Sequence, residues 1–156
     1  MRKFLLIILV IAVAVNAFAR PDSLRGIDSA KFVVDLNQGD AKKLKLRLSL
    51  ILETMDHIEE HGVKTDVVVA VRGGASKFML ITDAMVDYND SKIKGEIFNI
   101  ISTLSKRGVK LEQCGVALKI LKIDPKEVHP RFEVVKNGYV SLIGYQNRGH
   151  AILPME

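Results

Sequence analysis

A single cysteine, Cys114, stands in this chain of 156 residues; tryptophan is absent, and aromatic residues make up 6%. One thiol excludes an internal disulfide, a paired-cysteine redox motif, and a structural zinc site of the multi-cysteine kind. Scarce aromatics exclude the stacking platforms that single-stranded nucleic acid needs, and the lysines form no basic stripe, so no nucleic-acid partner is expected. Internal repeats and low-complexity stretches are missing too.

What the chain does have begins at its amino end. Met1-Arg2-Lys3 is a basic start, Phe4 to Val15 is almost unbroken apolar sequence, and Ala17-Phe18-Ala19 offers small residues where a signal peptidase reads. This is the pattern of a secretory signal peptide over residues 1–19, cleaved after Ala19. The apolar run is shorter than the roughly 20 residues that span a bilayer. Membrane contact is therefore expected only through this segment, if it stays uncleaved. The mature protein is expected outside the cytoplasm, periplasmic or secreted. Without Arg2 and Lys3, 21 basic residues face 18 acidic ones, a formal net charge of +3 that is ordinary for a soluble domain.

Residues 20–30 read as a polar leader, and residues 31–156 as one domain. Lys31 to Leu36 is a short run rich in β-branched and aromatic residues, ended by Asn37-Gln38-Gly39-Asp40; it reads as a strand, with Asp40 an N-cap. In Ala41 to His61, leucines at 44, 46, 48, 50 and 52 alternate as in a strand. Leu44, Leu48, Ile51, Met55 and Ile58 also fall at helical spacing, and twenty residues without a turn favour helix, closed by Gly62. Val67 to Val71 is continuously apolar, as in a strand buried on both faces of a parallel sheet. Arg72-Gly73-Gly74 breaks it. A short helix is expected over Ala75 to Met85, and a longer one over Lys92 to Arg107, whose Ile93, Ile97, Ile100, Ile101 and Leu104 share a face.

Val109 to Gln113 reads as a strand leading into Cys114, and Gly115 to Leu121 as a helix. Pro125 suits a helix start. Phe132 to Val135 reads as a strand, Asn137 to Asn147 as a helix, and Ala151 to Leu153 as a last strand stopped by Pro154. Short strands alternating with helices predict a three-layer α/β/α sandwich on a mostly parallel sheet. Sites in such sheets collect at the carboxyl ends of the strands. Here those ends hold Asn37, Gly73 and Gly74, and Cys114 with Gly115.

If Cys114 opens a helix, free backbone N–H groups and the helix dipole favour its thiolate. Gly115 would let a ligand approach the backbone. A thiolate there could accept sulfur as a persulfide. Glu112, on the same face, would oppose ionisation. The alternative is a packed, inert thiol, since free cysteines are often buried. Arg72-Gly73-Gly74 is either an anion-binding turn or a tight turn for close packing; it matches neither the dinucleotide fingerprint nor the P-loop. His57 and His61 stand four apart on the first helix, a spacing able to hold a metal. They lack the glutamate directly after the first histidine that a metalloprotease needs, and a solvated helix face accounts for them. No metal and no cofactor are expected. His129 and His150 are weak candidates for a base beside Cys114.

Several segments together resemble the DsrE/DsrF-like family of small sulfur-relay proteins. They are Asp35-Leu36-Asn37-Gln38-Gly39-Asp40, the strand Val67 to Val71 running into Arg72-Gly73-Gly74, the block Leu104 to Cys114, and Val135 to Ala151. The resemblance implies a five-stranded parallel sheet between helices and assembly as a homo-trimer or hexamer. It also implies sulfur carried as a persulfide on Cys114, passed between donor and acceptor proteins. Asn37, Gly73, Gly74 and Gly115 would then shape the site. A non-enzymatic oligomer that binds a small ligand or partner, with Cys114 merely structural, is the second expectation.

Overall fold

The computed structural model describes residues 22–156; the signal-peptide reading falls outside them. After a 3-10 turn at Asp22–Leu24, the chain runs through β1 (Ser29–Leu36), α1 (Ala41–Glu60), β2 (Lys64–Val71), a 3-10 segment (Gly73–Phe78) and α2 (Tyr88–Lys106). It continues through β3 (Lys110–Cys114), α3 (Gly115–Leu121), a 3-10 turn (Pro125–Glu127), β4 (Glu133–Val135), α4 (Gly138–Asn147) and β5 (Ala151–Met155). The five strands form one sheet in the order β4-β3-β2-β1-β5. Every strand pairing in it is parallel. Among the described residues no helix is long and apolar enough to cross a membrane.

Helix α1 settles the leucine ambiguity. Leu44, Leu48, Ile51 and Met55 are buried, while Leu46 is exposed. Asp40 caps the helix by accepting the Lys43 N–H at 2.9 Å, and Gly62 follows its end at φ +73°, a backbone that glycine adopts without steric cost.

The side chains of β1 and β2 alternate between two unequal cores. Phe32, Val34, Leu36, Val67, Val69 and Val71 join the large cluster beneath α1 and α2. Val33, Val68 and Ala70 meet Leu142 and Tyr145 of α4 in a small one. Helix α4 carries apolar residues on its outer face too, leaving Tyr139, Val140 and Ile143 exposed.

Two expectations need correction. Ala75 to Met85 is not a helix: a 3-10 segment ends at Phe78, and an antiparallel bridge joins Leu80 to Val128. Ile81 N–H donates to Glu127 O at 2.8 Å and His129 N–H to Met79 O at 2.9 Å. Long-range pairing thus satisfies backbone groups that a helix would have claimed. Nor does Pro154 stop the last strand. It lies within β5, opposite Asp35. β5 is an edge strand, where a missing N–H can face outward.

Candidate functional site

β3 ends on Cys114, and the thiol is 4% exposed. Its backbone caps α3, but its side chain does not bond that helix. The Sγ instead accepts the N–H of Gly138, the first residue of α4, at 3.2 Å. The side chain thus meets the amino end of α4 rather than that of α3. A side chain there would crowd the thiol: a Cβ on residue 138 would lie 3.0 Å from the Cys114 Cβ and 3.3 Å from its Sγ. Asn137 sets the helix start by accepting the Tyr139 N–H at 3.0 Å.

Beside the sulfur opens a cleft of about 260 Å³, lined by Arg72, Gly73, Gly74, Cys114, Val116, Ala117, Ile120, Leu121 and Tyr139. Its walls are mostly apolar, with the thiol and the Arg72–Tyr139 pair as its polar features. Arg72 is anchored from behind: Nη2 lies 2.7 Å from Asp35 Oδ2, and Nε bonds Oδ1. Nη1 donates to the Tyr139 hydroxyl at 3.1 Å. The Asp35 hydrogen bond raises the Arg72 pKa against the cost of burial, so the guanidinium stays charged.

The glycines answer the question left by Arg72-Gly73-Gly74: they make a tight turn. Gly73 has φ +52°, and a Cβ on it would fall 1.7 Å from the Asn37 side-chain oxygen. A Cβ on Gly74 would stand 2.8 Å from the Gly39 Cα. The loops after β1 and β2 are therefore in backbone contact. Asn37 supports the turn from behind; it does not line the cleft. Gly115 does not line it either. A Cβ there would lie 3.0 Å from Val135 O and 3.3 Å from Lys136 O, so its bareness serves the chain after β4 rather than a ligand.

Glu112 lies on the α4 side of β3, as its spacing from Cys114 predicts. Its Oε1 accepts the Tyr145 hydroxyl at 2.7 Å and sits 3.2 Å from Lys110 Nζ. Burial and this carboxylate push the Tyr145 phenol up, and bonds to Tyr145 and Glu112 push the Lys110 ammonium up. The negative charge near Cys114 thus has its own cation.

Neither histidine proposed as a base joins the thiol. His150 packs edge-on against Tyr145, with Nε2 3.4 Å from Asp66. Asp66 is near the start of β2, six residues and so about 20 Å along the strand from Arg72. His129 stacks on Phe98 of α2, with ring centres 4.8 Å apart, under the other face. His57 is exposed on α1. Among the described residues no group of three or more His, Cys, Asp or Glu could hold a metal.

The family model for the DsrE/DsrF-like family matches residues 30–155. The chain belongs to the DsrE/DsrF-like family. An uncharacterized protein of Aquifex aeolicus (strain VF5) is 31% identical over 128 residues, covering 80% of this chain and 55% of that protein. The chain thus spans about half the length of this relative. MTH1491 of Methanobacterium thermoautotrophicum, a protein of unknown function, shares the fold. Its TM-score is 0.63 at 17% identity, over 80% of this chain and 98% of that one. The family and the all-parallel α/β sheet agree with the resemblance read from the strand-end segments.

Gly138, Asp35 and Tyr139, and the apolar wall of Val116, Ala117, Ile120 and Leu121, are site residues that the sequence does not single out. Asp35 carried a signal, an acidic residue inside an apolar strand. Gly138 carried a weaker one, a glycine directly after the N-capping Asn137.

Proposed function

We propose that this protein is exported and carries sulfane sulfur as a persulfide on Cys114. The observation that carries this reading is the Sγ at the head of α4, accepting the Gly138 N–H at 3.2 Å while bordering the cleft. The backbone donor fixes the sulfur at the edge of the cleft, and the thiolate is the attacking form in such a transfer. In the reaction, the thiolate attacks the outer sulfur of a donor persulfide. The donor's S–S bond breaks and its thiolate leaves, and Cys114 keeps the sulfur. An acceptor thiolate then takes that outer sulfur and releases the Cys114 thiolate. Arg72 and Tyr139 face the incoming group; Gly73, Gly74 and Asn37 hold Arg72 in place. The exposed Tyr139, Val140 and Ile143, with Val116 and Ile120 of α3, support assembly as a homo-trimer or hexamer.

Mass spectrometry after treatment with a low-molecular-weight persulfide tests the reading. One added sulfur is expected on the wild type and none on Cys114→Ser; no addition, or equal addition to both, overturns it. The 4% exposure of Cys114 favours a second reading, a non-enzymatic oligomer that binds a small ligand in the same cleft. A thiol that resists alkylation until the protein is denatured would support it.

A further inference from the structure

A second cleft, of about 440 Å³, lies between α2 and the segment that carries His129 and Arg131. It shares no lining residue with the Cys114 cleft. One wall is rigid, because the Leu80–Val128 bridge and its two flanking backbone hydrogen bonds stitch residues 79–81 to 127–129. The other wall is a stripe of α2, where Ser91, Lys94, Phe98 and Ser102 follow at helical spacing.

The donors in this cleft are oriented and partly unused. The Arg131 N–H donates to His129 Nδ1 at 3.2 Å. The proton of the neutral ring therefore sits on Nε2, which makes that nitrogen a donor. The Arg131 guanidinium has no hydrogen bond or ion pair among the described residues, and it is exposed. Lys94 is 3% exposed, and its ammonium is held by Thr82 O and by Asp83 Oδ1 at 2.7 Å. Lys94 and Ser91 hold the Asp83 carboxyl below its ordinary range. With Asp83 balancing Lys94, Arg131 leaves the cleft one positive charge in excess.

Gly95 is the second, independent observation. It stands in the interior of α2, where glycine is less favourable than alanine. No atom lies within 4 Å of where its Cβ would be. Packing inside this chain does not require a glycine there, and the missing side chain widens the cleft it lines.

We propose that this cleft is a binding site for a tetrahedral oxyanion, free or carried on a small organic body. Arg131 and His129 Nε2 bind the oxyanion from one wall, and Asn99 and Ser102 from the other. The room over Gly95 and the Phe98 ring takes the organic body. Donor-bearing residues line both walls, and a tetrahedral anion presents oxygens to both sides at once.

Titration calorimetry on the folded protein tests this with three probes: inorganic phosphate, thiosulfate and phenyl phosphate. Saturable binding of at least one is expected, and Arg131→Gln is expected to weaken it by at least about tenfold. His129→Phe, which keeps the ring stacking and removes the donor, is expected to weaken it as well. Gly95→Leu is expected to abolish binding of phenyl phosphate without lowering the melting temperature. Strongest binding of phenyl phosphate points to an organic ester, of thiosulfate to a sulfur oxyanion, and of phosphate to the free ion. Cys114→Ser is expected to bind as the wild type does, which separates this site from sulfur carriage. No saturable binding of any probe, or equal affinity in wild type, Arg131→Gln and Gly95→Leu, overturns the proposal.

Discussion

Beneath α1 and α2 the sheet buries one continuous apolar cluster from Phe32 to Met155, whereas beneath α4 it buries Val33, Val68, Ala70, Leu142 and Tyr145. The thin side holds Asp35, Glu112, Cys114 and His150, all buried. The two faces of the same strands thus do different work. One side supplies the burial that folds the chain. The other uses a single helix to hold polar groups and a thiol at fixed positions, and its smaller apolar contact costs stability.

The largest expected effects test that division directly. Phe78→Ala or Leu48→Ala, in the thick core, should cost about 3–5 kcal/mol, and Leu142→Ala, on α4, about 2 kcal/mol. Urea denaturation of the three variants measures this. A loss at Leu142 equal to that at Phe78 would show that α4 is as deeply integrated as α1 and α2.

Next comes the pair behind the cleft. Asp35→Leu leaves the Arg72 guanidinium without its partner. The side chain of Arg72 is 14% exposed, so water recovers part of the loss, and about 2–3 kcal/mol is expected. The double variant Asp35→Leu/Arg72→Leu should be more stable than Asp35→Leu alone, because no charge is then stranded. Denaturation of the pair and both single variants completes the cycle. A double variant less stable than either single would mean that the ion pair holds the thin face together rather than positioning Arg72.

Gly138→Ala should cost about 1–3 kcal/mol, since the new methyl meets Cys114 and α4 must shift outward. Cys114→Ser should cost less, yet it is expected to remove the sulfur loading proposed above. Melting curves read beside persulfide loading separate the two, one variant acting mainly on stability and the other mainly on chemistry. Full loading of Gly138→Ala would show that sulfur transfer tolerates the outward shift of α4.

The thick face was legible in the sequence because burial repeats. Leu44, Leu48, Ile51 and Met55 announce a helix, Val67 to Val71 a central strand, and the alternation of these elements a parallel sheet. Cys114 was legible as a strand end for the same reason. Its partners were not, because they come from distant parts of the chain: Gly138 from α4, and Tyr139 across from Arg72. No local periodicity records which helix end meets which strand end. Ala75 to Met85 reads as a helix in the sequence because the contact that redirects it, Leu80 with Val128, spans 48 residues. Gly115 reads as a ligand approach in the sequence, although the neighbour that crowds it is the backbone at the end of β4, Val135 O and Lys136 O.

The smallest expected effect lies under the thick face, at His129. Burial, with Arg131 and Lys94 nearby, holds its imidazole below the ordinary value of 6.5. The groups facing it are those two cations and Asp83, which lines the same cleft and pairs with Lys94. The native state therefore binds fewer protons here than the unfolded chain does. This contribution is fully present above the unfolded value and is lost as pH falls through the folded one. His129→Phe removes it, so the variant should lose less stability than the wild type between about pH 7.5 and about pH 5. Urea midpoints at the two pH values measure the difference, and comparison with the wild type cancels the acid sensitivity of every other carboxylate and histidine. Equal losses in both proteins would place the His129 ring in water, and with it the wall of the second cleft.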